Sequence, residues 1–149
     1  MREKPTSAKA VAAICFAVTA TVGAYMFLPV IAEARRGDWF LPANAVLGAY
    51  IGWRVMGRLA GRGYRRAFWA GIGTSIWLAF WSLAIFSSYE MIHRSLLKRY
   101  DTPTEAVGNI GVIAMEYLGL SMQLDVILTI LGGGVVGGIL AEFAGRRWG

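Results

Sequence analysis

The sequence predicts an all-α fold: a multi-pass transmembrane helical bundle of four spans, with an amphipathic helical segment at the membrane surface. Composition is the first reason. Hydrophobic residues make up 56% of the 149 positions and charged residues 16%, against about 45–50% and about 25% in soluble domains. The second is charge placement, because short charged clusters alternate with long uncharged runs. The third is that the basic clusters fall on one side if each uncharged run crosses a bilayer. The same features exclude a disordered chain, which carries far less apolar surface. They exclude a disulfide scaffold, since Cys15 is the sole cysteine. A net charge of +6 on such a chain points to a membrane surface rather than to nucleic acid.

Ala10–Ala32 is the first span, a run without a charge. At 1.5 Å per residue it is long enough for a hydrocarbon core of about 30 Å. Arg2, Lys4 and Lys9 precede it. A cleaved signal peptide ending at Ala32-Glu33-Ala34, with Pro29 before the site, is the competing reading. The apolar run exceeds the ~7–15 residues of a signal core, so retention is expected. Phe40–Trp53 is a shorter uncharged run, whose length also suits a re-entrant or interfacial piece. Trp39 anchors its start, and Val55 and Met56 extend it past a snorkelling Arg54, giving a span over 40–56.

Ala67–Ser88 is the clearest span, with Trp69, Trp77 and Trp81 inside it. Trp77 and Trp81, one helical turn apart, are expected to pack on a neighbouring helix; Trp39, Trp53, Trp69 and Trp148 suit an interfacial belt. Residues 89–123 form the amphipathic segment. Tyr89–Tyr100 continues the preceding helix, and Thr102-Pro103-Thr104-Glu105 has the pattern of a capping box with proline at the first helical position. Val107, Ile110, Ala114 and Tyr117 follow at helical spacing. This helix is expected to lie along the surface or against the other helices rather than to cross. The last span is 124–143, with Asp125 near its start and Glu142 near its end. No linker or repeat divides residues 1–149, which are read as a single membrane domain.

Charge sets the orientation. With four spans and a cytoplasmic amino terminus, ten of the 15 lysines and arginines lie inside and five outside. The positive-inside rule then places both termini in the cytoplasm.

The run Gly52-Trp53-Arg54-Val55-Met56-Gly57, followed by Ala60-Gly61-Arg62-Gly63-Tyr64, resembles the signature of the TrgA family. The upstream Trp39-Phe40, Pro42 and Asn44-Ala45 fit the same pattern. So do Arg94-Ser95-Leu96, Arg99-Tyr100-Asp101, Leu140-Ala141-Glu142 and Arg146-Arg147-Trp148. The resemblance implies a multi-pass inner-membrane protein linked to tellurite resistance and a stress response. It implies no catalytic mechanism and no cofactor.

Several residue groups are candidates for function. Arg54, Arg58, Arg62, Arg65 and Arg66 offer guanidinium forks suited to an oxyanion or to anionic lipid. The plainer reading is a loop that sets topology and touches headgroups. Glycines at 52, 57, 61 and 63 allow close backbone approach in this loop. Gly48 with Gly52, Gly133 with Gly137 and Gly134 with Gly138 are GxxxG pairs, which reward helix packing in lipid. Their partner is another helix of the chain, a second copy, or a subunit of a larger membrane complex. Asp125, Glu116 and His93 are the weaker ionisable candidates. The single histidine and single cysteine make a bound metal unexpected. Cys15 reads as packing, because a thiol in lipid holds little thiolate. No phosphate loop, dinucleotide fingerprint or nucleophile elbow occurs, so no enzyme activity and no nucleic-acid partner are expected. Beside a resistance factor, the sequence suits a small accessory subunit of a respiratory or photosynthetic complex, or an oligomeric oxyanion transporter or channel.

Overall fold

The structure is a computed structural model that describes residues 6–28, 39–96, 103–121 and 123–148. Every regular element among them is helical. In chain order these are α1 (Thr6–Phe27), α2 (Phe40–Ile51), a π turn (Gly52–Met56), α3 (Gly57–Leu59), α4 (Tyr64–Leu96), α5 (Pro103–Ser121) and α6 (Leu124–Arg147). The helix boundaries follow local chemistry. Ala60 turns to extended backbone and ends α3. Gly61 and Gly63 then hold φ of +82° and +110°, a region costly for residues with a Cβ. Pro103 opens α5 at a position where its missing N–H has no cost. Thr102 and the side chain of Glu105, the rest of the expected capping box, lie outside the described residues. So do residues 29–38, which contain the Ala32-Glu33-Ala34 site.

Three helices are long and apolar enough to cross a membrane: Ser7–Phe27, Tyr64–Ile92 and Leu124–Arg147. Residues 40–59 are not among these three. They nonetheless form one continuous helical rod through the π turn, roughly 30 Å long at 1.5 Å per residue. The 33 residues of α4 reach about 50 Å. The span predicted at 67–88 and the amphipathic stretch after it are therefore one helix as far as Leu96.

α1, α2–α3, α4 and α6 pack as antiparallel neighbours in a ring. Phe16 and Ala12 on α1 lie under Gly48 and Gly52 of the second rod. On its other face α1 meets α6, where Gly133 sits against Thr19 and Gly137 against Cys15 and Phe16. α6 meets α4 through Gly134 on Gly71 and Ser75, and through Gly138 on Ala67. The ring closes between α2 and α4, where Ser82 donates to Asn44 Oδ1 at 2.7 Å and the Phe40 and Phe86 rings meet edge-on at 4.2 Å. α5 packs on α4.

All six glycines of the GxxxG pairs thus face helices of their own chain. A Cβ on Gly52 would stand 2.5 Å from the Ala12 carbonyl oxygen, and one on Gly138 2.6 Å from that of Ala67. Of the three partners left open for these faces, helices of the same chain are the ones that meet them here. In lipid, where tails solvate leucine as well as another helix does, such backbone approach supplies the packing that holds helices together. The core is accordingly built of small residues, with Ala8, Ala12, Ala20, Ala60, Ala67 and Ala141 around Phe16, Ile51, Met56 and Leu78.

Two expectations are corrected. Trp77 and Trp81 are not buried against a neighbouring helix; they are 48% and 42% exposed, and their ring contacts are with each other and with Phe80 of the same helix. The inner face of that helix belongs to Ala67, Thr74, Ser75 and Leu78. Among the described side chains of α5 the buried one is Ile113, while Val107, the expected start of the apolar stripe, is 63% exposed; the side chain of Tyr117 lies outside the described residues. Ile110 and Ala114 flank Ile113 and are half-buried, so the packed face centres between them.

Candidate functional site: a buried carboxylate under the arginine loop

The amino-terminal end of α1, the loop after α3 and the carboxyl end of α6 meet at one end of the bundle. Gly57 faces Lys9, and Gly145 lies between Ala8 and Gly61. At their junction stands Glu142, whose carboxylate is fully buried. Its Oε2 accepts from the backbone N–H of Gly61 and, at 3.1 Å, from that of Arg62. Its Oε1 accepts from the backbone N–H of Gly63 at 2.8 Å and from Arg146 Nε at 3.0 Å. Three successive backbone N–H groups pointing inward form a nest, a concavity that fits an anion. Gly61 and Gly63 make the nest possible, because their positive φ values turn the N–H groups to one side.

Arg146 is tied in twice. It pairs with Glu142 one turn earlier on α6, and its guanidinium lies 4.9 Å from the centre of the Tyr64 ring. The ring contact joins the start of α4 to the end of α6 through a cation–π interaction. Loop, α4 and α6 are thereby held as one unit.

Outside this clamp, Arg58, Arg62, Arg65 and Arg66 are exposed. Among the described residues none of the four has an ion-pair partner. Arg54, about a turn before Arg58, is exposed with its guanidinium 6.0 Å from the Tyr50 ring centre. Arg147 adds a further charge at the same end, over Phe143 at 5.8 Å. The arginines of the predicted cluster therefore surround a fixed loop rather than a flexible one. Their chemistry is that of side-chain forks, which suit phosphate and other oxyanions. The loop's backbone amides do not share in it, because Glu142 already occupies them. The close backbone approach expected of Gly61 and Gly63 is thus made to the chain's own carboxylate.

The weaker candidates are scattered. Asp125 is exposed in the first turn of α6, at the opposite end of the bundle, where a carboxylate suits the helix dipole. It borders a shallow recess of about 350 Å³ with Met26, Gln123 and Thr129. Glu116 is exposed on α5. His93 is on α4, and its side chain lies outside the described residues. Among the described residues no three His, Cys, Asp or Glu side chains converge to hold a metal.

Glu142 is the residue that sequence reasoning passed over. One signal was available. A carboxylate in the last turns of a helix opposes the negative pole of the dipole, so it needs a partner, and Gly61-Arg62-Gly63 supplies three donors.

Fold and site together define an all-helical protein with three helices able to cross a membrane and a rigid basic loop at one end. No protein-family model, curated protein or solved structure matches the chain.

Proposed function

We propose that this chain is a non-enzymatic integral protein of the bacterial inner membrane, with four spans, both termini in the cytoplasm, and a role in tellurite tolerance as its likeness to the TrgA family implies. The observation that carries the reading is the gathering of the basic residues. Lys9, the arginine loop and the Arg146–Arg147 pair share one end of the bundle, where the chain's own carboxylate holds the loop in place. Basic residues near an anionic surface contribute about 1 kcal/mol each. Such a platform anchors the cytoplasmic end to acidic headgroups and presents guanidinium forks to phosphate or an oxyanion. The rod at 40–59 serves as the fourth span, sheltered between α1 and α4, with Arg54 and Arg58 snorkelling to the same surface.

A deletion strain tests the physiological role. The expected result is lowered growth in tellurite, restored by re-expression of the chain. Unchanged tolerance removes the role in resistance.

A further inference from the structure

We propose that the half-open cavity between α1, α2, α4, α5 and α6 is a binding site for a membrane lipophile that carries a hydrocarbon chain and a carbonyl oxygen. The proposal rests on the membrane reading above and concerns the half of the bundle away from the arginine loop. The cavity measures about 700 Å³, within the ~300–1,000 Å³ of small-molecule sites. Phe27, Phe40, Phe80 and Phe86 line it together with aliphatic side chains of α4 and α6. A space so lined does not hold water, which needs two to four polar partners. Three of its walls, α1, α4 and α6, are helices long and apolar enough for a bilayer, so the molecules at hand to fill it are lipophiles.

One polar pair gives the site its chemistry. Asn44 lines the cavity and is 6% exposed. Its amide donates one N–H to the Phe40 carbonyl at 2.9 Å, and its Oδ1 accepts from Ser82. The second N–H of the amide has no acceptor among the described residues. A buried donor left without a partner is costly. The third polar wall residue, Ser75, spends its hydroxyl on the Ile130 carbonyl at 2.9 Å. The unmet group is thus a single donor beside aromatic rings, and its complement is a carbonyl on an apolar chain. A glycerolipid ester and a prenyl quinone both supply that chemistry.

The test uses the full chain in mild detergent. The probe is a phosphatidylglycerol with a photoreactive diazirine in its acyl chain, and cross-linked peptides are read by mass spectrometry. Labelling is expected on cavity residues of α2 and α4. Unlabelled ester lipid should compete about fivefold better than its dialkyl-ether analogue, which lacks the carbonyl. Asn44→Leu should erase that difference. Ala79→Trp, at an exposed position on the cavity rim, should abolish cavity labelling without changing the elution volume. Stronger competition by a prenyl quinone than by ester lipid assigns the carbonyl to a quinone; the reverse assigns it to a glycerolipid. Labelling confined to outward residues such as Ile14 and Val18, or equal competition by ester and ether lipid in the unmodified chain, overturns the proposal. Failure of the membrane reading is distinct, since the chain would then leave the membrane fraction in alkaline carbonate.

Discussion

A carboxylate near the carboxyl end of a helix faces the wrong pole of the dipole, and Glu142 keeps that place because four donors converge on it. The ionised form is acceptor-only, with enough lone pairs for all four. Glutamine brings a donor to one of the two oxygen positions, where it meets either Gly61 and Arg62 or Gly63 and Arg146. Glu142→Gln is therefore not a conservative change. It is expected to cost about 2–3 kcal/mol, close to the effect of Glu142→Ala. Because a tenfold change in equilibrium corresponds to about 1.4 kcal/mol, tryptic cleavage after Arg62 should accelerate by one to two orders of magnitude. Gly61→Ala and Gly63→Ala, at positive φ, should each accelerate it by a smaller step, for a cost of about 1–2 kcal/mol. Equal cleavage rates in the parent and Glu142→Gln chains would show that the carboxylate does not hold the loop.

At the scale of elements, the glycine pairs show how far pattern alone reaches. Spacing identifies Gly133, Gly134, Gly137 and Gly138 as two packing faces on one helix, and the structure gives each face its own partner, α1 for the first and α4 for the second. Spacing does not name the partner, because it describes one surface and a contact needs two. Trp77 and Trp81 illustrate the same limit. In a soluble protein a pair of tryptophans one turn apart marks the core, but in lipid the outside is apolar too, so hydrophobicity no longer separates inside from outside. Residue size helps, since on α4 the inward side carries Ala67, Thr74 and Ser75 with Leu78, while the tryptophans face out. Substitution distinguishes the two environments. Gly134→Leu places its side chain against Ser75 and Gly71 and should abolish a single monodisperse peak in detergent. Gly132→Ala, where nothing lies within 4 Å, should leave the peak unchanged and raise the apparent Tm slightly, since alanine suits a helix better by about 0.5–1 kcal/mol. A tolerated Gly134→Leu would contradict the packing described here.

For the whole molecule, charge along the sequence already placed ten of the 15 lysines and arginines on one side, and the bundle brings Lys9, the arginine loop and Arg146–Arg147 together at one end. What the sequence did not disclose is the rigidity of that end. It depends on a contact between Glu142 and residues about 80 positions earlier, and no local pattern reports a partner at that distance. The central claim is that this end faces the cytoplasm while the α6 start faces the other side of the membrane. Two single-cysteine chains test it most directly, Arg62→Cys and Gln123→Cys, both at exposed positions and both in a Cys15→Ala background. They are treated with a membrane-impermeant maleimide in intact spheroplasts and in inverted vesicles. The account predicts labelling of Gln123→Cys in spheroplasts only and of Arg62→Cys in inverted vesicles only; the opposite pattern, or labelling of both positions from the same side, would contradict it.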